Sequence, residues 1–195
     1  MDWITTSTIL QDLADFSNQS AWERFATRFR SPIVNFARRM GLSEADAEDT
    51  AQETLVAFAE AYRQGRYDRT KGRLSQWLFG IAFRQALSER RGAARRARLT
   101  AQANGSSFGA DVVDDAAAKL WDQEWEQALL QTCLLRARQE VEPTTFRAFE
   151  LLMREGRTPA DVAAELRVPV KSVYNAKYTV LKRMRELRAG IEDSV

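Results

Sequence analysis

Glu155-Gly156-Arg157-Thr158-Pro159-Ala160-Asp161-Val162-Ala163-Ala164-Glu165-Leu166, continued by Arg167-Val168-Pro169-Val170-Lys171-Ser172-Val173-Tyr174-Asn175-Ala176-Lys177-Tyr178, is the stretch on which the fold turns. Thr158 is an N-cap, Pro159 suits the first helical position, and Asp161 lies where it favours the helix dipole. Val162, Ala163 and Leu166 make an apolar face, and Arg167-Val168-Pro169 is a tight turn. A second helix follows with Val173, Val180, Leu181, Met184 and Leu187 inward. Lys171, Ser172, Tyr174, Asn175, Lys177 and Tyr178 then point outward. Two short helices around a tight turn are the layout of a helix-turn-helix, whose second helix enters a major groove and reads base edges near its start. Asn175 has the two-pronged chemistry that pairs with adenine. Lys182, Arg183, Arg185 and Arg188 lie further along, as phosphate contacts or a solvated face. An ordinary helical hairpin with a wet basic face is the plainer reading of the same spacing.

Working back toward the amino terminus, Thr145 to Arg154 has helical spacing and ends at Gly156, and Val141-Glu142-Pro143 breaks the helix before it. That earlier helix starts near Ala117 and carries Leu120, Trp121, Trp125, Leu129 and Leu130 in phase. Ala93 to Ala118 is rich in Ala, Gly, Ser and Asp and reads as a flexible linker. Further back, helices are expected over Thr8–Phe16 and Ala21–Phe29, and another opens at Ser31-Pro32 and closes at Gly41. Ser43 with Asp46 forms a capping-box-like start for a helix that runs to about Tyr62 and stops at Gly65. A polar loop leads to the next helix, from Leu74 to Arg91 or beyond. No strand-like alternation stands out. The fold class is all-α: two small helical domains, 1–95 and 118–195, joined by a flexible linker at 96–117, the second containing the helix-turn-helix.

Composition narrows the function. The chain has 195 residues, 45% of them hydrophobic, enough for a folded protein but thin for two domains of fewer than 100 residues each. It has one cysteine, Cys133, in an apolar helical stretch, so a reducing, cytoplasmic setting and a buried thiol are expected. The start, Met1-Asp2-Trp3, lacks the pattern of a signal peptide, and no apolar run is long enough to span a bilayer, so no membrane insertion is expected. The net charge of +2 conceals blocks of −4 over 1–65, +8 over 66–98, −5 over 110–142 and +3 over 143–195. Such segregation suggests separate surfaces for separate partners, with nucleic acid at the basic ones.

Two clusters carry the chemistry of the first half. Glu44, Asp46, Glu48, Asp49 and Glu53 are acidic with no base among them. A solvated helical face and a docking surface for a basic partner both fit. A metal site fits poorly, because the chain has no histidine and the spacing matches no calcium loop. Downstream, Arg66, Arg69, Lys71 and Arg73 crowd a loop beside Tyr67, and basic with aromatic side chains can hold phosphates and stack unpaired bases. Trp77 shares a helical face with Leu74, Leu78 and Ile81 and belongs more naturally to the core. No cofactor, no metal and no catalytic residue is called for, and a carboxylate hydrolase would need a second converging acidic cluster.

The run Asp46-Ala47-Glu48-Asp49-Thr50-Ala51-Gln52-Glu53, then Trp77-Leu78-Phe79-Gly80-Ile81-Ala82, then Glu155 to Leu166 with Val168-Pro169-Val170, resembles the extracytoplasmic-function sigma factors. The resemblance spans nearly the whole chain apart from the linker. It implies a promoter-specificity subunit, not an enzyme. It also implies that Asp46, Glu48, Asp49, Gln52 and Glu53 dock on the β′ clamp of core RNA polymerase. The loop with Arg66, Tyr67, Arg69, Lys71 and Arg73 would capture the −10 element, joined by Arg84 where the family usually has Asn. The helix with Lys171, Ser172, Tyr174, Asn175, Lys177 and Tyr178 would read the −35 element. Tyr174 and Ala176 stand where the family usually has Arg or Lys, so the −35 sequence is expected to differ. Implied partners are the polymerase β′ clamp and β flap, promoter DNA, and an anti-sigma factor or other upstream regulator. A stand-alone helix-turn-helix regulator is the alternative, and it leaves the acidic helix and basic loop unused.

Overall fold

A computed structural model describes residues 6–15, 17–100 and 115–192, and they are helical apart from turns. The helices are α1 (Thr6–Ala14), α2 (Gln19–Arg39), α3 (Glu44–Arg63), α4 (Leu74–Thr100), α5 (Asp115–Glu140), α6 (Pro143–Met153), α7 (Pro159–Leu166) and α8 (Val170–Glu192), with a short 3-10 turn at Arg69–Lys71. The all-α reading holds. The chain forms two compact units that divide between Ala128 and Leu129.

In the first unit α2 packs on α3 and α3 on α4. Its core is aromatic: Phe25, Phe36 and Phe58 are almost wholly buried, and the Phe25 and Phe58 rings stack at 4.4 Å. Tyr62 fastens α1 by donating its hydroxyl to the Leu10 carbonyl at 2.6 Å. In the second unit α6 packs on α7 and α8, and α7 on α8. One core there gathers Leu129, Cys133, Ala137, Phe146, Phe149, Val180 and Leu187, and a smaller one joins Val162, Val173 and Ala176 to Leu151.

Three sequence expectations are corrected. Ser31-Pro32 does not open a helix, because α2 passes through Pro32 without a break. An interior proline forfeits one backbone bond. Here Phe25, Phe29, Ile33 and Phe36 form one continuous buried stripe, and burying it outweighs that loss. The linker boundaries also move. Residues 96–100 end α4 and residues 115–117 begin α5, while the rest of the expected linker, like the Met1-Asp2-Trp3 start, lies outside the described residues. Alanine and arginine favour helix intrinsically, so a stretch poor in large apolar residues still extends α4. The domain boundary expected at 118 moves too. Ala117 and Trp121 on α5 are buried in the first unit's core, where Trp121 meets Phe36 edge-to-face at 5.4 Å.

Candidate functional site

The acidic surface begins with a cap. The Ser43 hydroxyl accepts the Asp46 N–H at 3.2 Å and donates to the Asp46 carboxylate at 2.6 Å, which starts α3 at Glu44. Ala47, Thr50, Ala51, Thr54 and Phe58 turn into the core. The opposite face of α3 presents Asp46, Asp49, Gln52 and Glu53 along one groove, and α4 supplies Gln85, Glu89 and Arg96 as the far wall. Val56 lies in that groove with half of its surface exposed. Four of the five expected docking residues therefore share one face. Glu48 does not: it turns toward α2, where Arg30 pairs with it at 2.6 Å.

Arg96, inside the stretch whose composition reads as linker, lies on α4 and joins this groove. On the extended α4 its guanidinium lies 2.5 Å from Glu89 and 3.9 Å from Asp46. The Glu89 carboxylate beside it holds its pKa above the ordinary arginine value. The only sequence signal was the helix-favouring composition of residues 93–98.

The basic loop follows α3. Gly65 has φ +67°, the left-handed conformation that lets the chain leave the helix and turn back. Asp68 caps the 3-10 turn by accepting the Thr70 N–H at 2.9 Å, and Lys71 lies 3.5 Å from the same carboxyl group. Hydrogen bonds from Thr70 hold the Asp68 pKa below its usual range. Arg66, Lys71, Arg73 and Arg84 are exposed, and Arg69 sits on the turn itself. Tyr67 departs from the sequence reading. Its ring packs on Trp77 at 4.9 Å and near Tyr62 at 6.3 Å, so it extends the core. Trp77 is half-buried against Phe58, as its helical phase suggested.

The helix-turn-helix is built as the opening stretch requires. Thr158 caps α7 through the Asp161 N–H at 3.2 Å and donates to the Asp161 carboxylate at 2.7 Å, repeating the Ser43 arrangement. The turn is made by Arg167 in the left-handed conformation, φ 54° and ψ 44°. On α8, Val173, Ala176 and Val180 are buried, and Lys171, Tyr174 and Tyr178 face solvent. Ser172 and Asn175 are exposed but line a groove beside Glu140, Val141, Glu142 and Thr145. Arg183 is engaged by Glu140 at 2.5 Å and Glu186 at 3.0 Å, which raises its pKa and makes it a structural residue. Among the described residues no group of His, Cys, Asp or Glu is placed to hold a metal, and no helix is long and apolar enough to cross a membrane.

The first unit thus carries one acidic face and one basic loop, and the second carries the helix-turn-helix. Residues 25–96, most of α2 together with α3, the loop and nearly all of α4, match the family model of sigma-70 region 2. The match covers less than half of the chain and shows a sigma-70 region 2 module over that segment. No curated protein matches the chain.

Proposed function

We propose that this chain is an alternative sigma factor of the extracytoplasmic-function type. It binds core RNA polymerase in the cytoplasm, directs it to particular promoters and has no catalysis of its own. The observation that carries the reading is that a segment matching sigma-70 region 2 displays Asp46, Asp49, Gln52 and Glu53 on one open groove. A basic partner helix, as on the polymerase β′ clamp, is the complement of that face. Arg66, Lys71, Arg73 and Arg84, all exposed, support contact with the −10 strands. The helix-turn-helix supports −35 reading beside the β flap, and an anti-sigma factor is the expected upstream control.

Co-elution with core polymerase on gel filtration tests this. The wild-type chain should run with the enzyme. Asp49→Lys combined with Glu53→Lys should not, while its circular dichroism stays helical, because both carboxylates are exposed. Unchanged co-elution of the double variant would remove the docking assignment. A wild-type chain that ignores polymerase yet shifts duplex DNA would leave the stand-alone regulator.

A further inference from the structure

The start of α8 displays an apolar edge on a helix that is otherwise polar where it is exposed. Val170 is 43% exposed, and Tyr174 and Tyr178 are each 63% exposed. They follow one another at four-residue spacing, so they lie in one row along the helix. Val173, Ala176 and Val180 hold the opposite face in the core, which fixes the row's direction. Large rings left in water at this level on a short segment mark a contact surface. Lys171 and Lys182 are exposed on the same side, and no carboxylate lies between Val170 and Arg185. The complement of that surface is a polyanion with an apolar feature inside it.

We propose that Val170, Tyr174 and Tyr178 form a reading edge for thymine methyl groups in the major groove, so that this chain selects its upstream element through thymines. The inference rests on the promoter-binding function proposed above and names its chemistry. Among the base edges in the major groove, the thymine C5-methyl is the apolar one, and valine and aromatic side chains are suited to cover it. Hydrogen-bonding side chains lie beside the row and not in it, with Lys177 exposed next to Tyr178. Asn175 lies to one side, in the groove with Glu140 and Glu142, whose carboxylates disfavour close approach of phosphate. Lys171 and Lys182 flank the row and hold the backbone without choosing a base.

Uracil tests this directly, since it pairs as thymine does and lacks only the methyl group. A duplex pool with a randomised upstream segment is prepared with thymine or with uracil. The full chain selects from each pool, alone and bound to core polymerase. The wild type should enrich thymine at two or more positions, and uracil should lower that enrichment about threefold to fourfold per position, the worth of one buried methyl. Tyr174→Ala with Tyr178→Ala should remove the difference between pools. Tyr174→Phe with Tyr178→Phe should keep it, because the ring and not the hydroxyl covers the methyl. Equal enrichment of thymine and uracil by the wild type overturns the proposal, as does loss of discrimination in the phenylalanine variant. Selection that is the same with and without polymerase would sink the sigma-factor reading and leave the methyl comparison intact. Selection under neither condition would overturn both.

Discussion

Glu142 shows how much one residue can set. It precedes Pro143 and accepts the Thr144 and Thr145 N–H groups at 2.8 and 2.7 Å, closing the start of α6. Those bonds lower its pKa from 4.5 to about 2. A carboxyl group with a depressed folded pKa adds stability above its unfolded value and loses it as pH falls through the folded one. Wild type should therefore exceed Glu142→Gln in stability by a constant margin above pH 4.5, and the margin should vanish towards pH 2. Urea denaturation at a series of pH values measures it; a margin unchanged at pH 2 would show that the cap is not ionic. Arg167 is the opposite case. A side chain with φ 54° is strained where glycine would be at ease. Arg167→Gly should stabilise the second unit by about 0.5–1 kcal/mol, the strain relieved less glycine's greater unfolded-state freedom. Both caps of the α3 and α7 starts were legible, because Ser43 and Thr158 act on backbone three residues away. The fate of Tyr67 was not, because its partners Tyr62 and Trp77 are brought to it by the loop's path.

Elements were legible in kind and misread at their ends. Pro32 and the alanine-rich tail of α4 look like punctuation in the sequence, yet tertiary burial and helix propensity carry the helices through. The largest difference is α5. Its Trp121 and Trp125 are in phase in the sequence, but periodicity does not say which core they enter. The structure packs them against Phe36 and Phe29, and Arg39 of α2 reaches Glu124 at 3.0 Å and Gln123 at 2.8 Å. Trp121→Ala should destabilise the first unit by about 3–5 kcal/mol, seen in denaturant unfolding. Glu124 is only 6% exposed, so the ion pair should respond unevenly. Arg39→Ala strands a buried charge and should cost about 2–3 kcal/mol, less than a fully buried pair because Arg39 is partly in water. Glu124→Gln should cost less, and adding it to Arg39→Ala should recover part of the loss. Equal, additive losses would show that the pair is not coupled.

At the scale of the whole molecule, two of the charge blocks read from sequence can be traced on the first unit, and they meet where Arg96 of the basic block lines the acidic groove. The acidic groove belongs to α3, and the exposed bases belong to the loop and the outward side of α4. Should the loop follow the phosphates of an unpaired strand, Arg66→Ala with Arg73→Ala should lower the salt slope of open-complex formation by about 1.4, at roughly 0.7 per contact. A wild-type slope in that variant would make the loop a solvated connector. Only part of the acidic site could be seen in advance, since Glu89 and Arg96 join it through the packing of α4 on α3.

The division between Ala128 and Leu129 also partitions the chain's optical and chemical reporters. All five tryptophans, Trp3, Trp22, Trp77, Trp121 and Trp125, precede it, and the single cysteine, Cys133, follows it in a fully buried position. Fluorescence of Trp22, Trp77, Trp121 and Trp125 therefore follows the first unit, whose core they line, and the rate at which a disulfide reagent finds the thiol follows opening of the second. The unmodified protein thus reports the unfolding of its two halves separately, in one cuvette, with no dye and no engineered label.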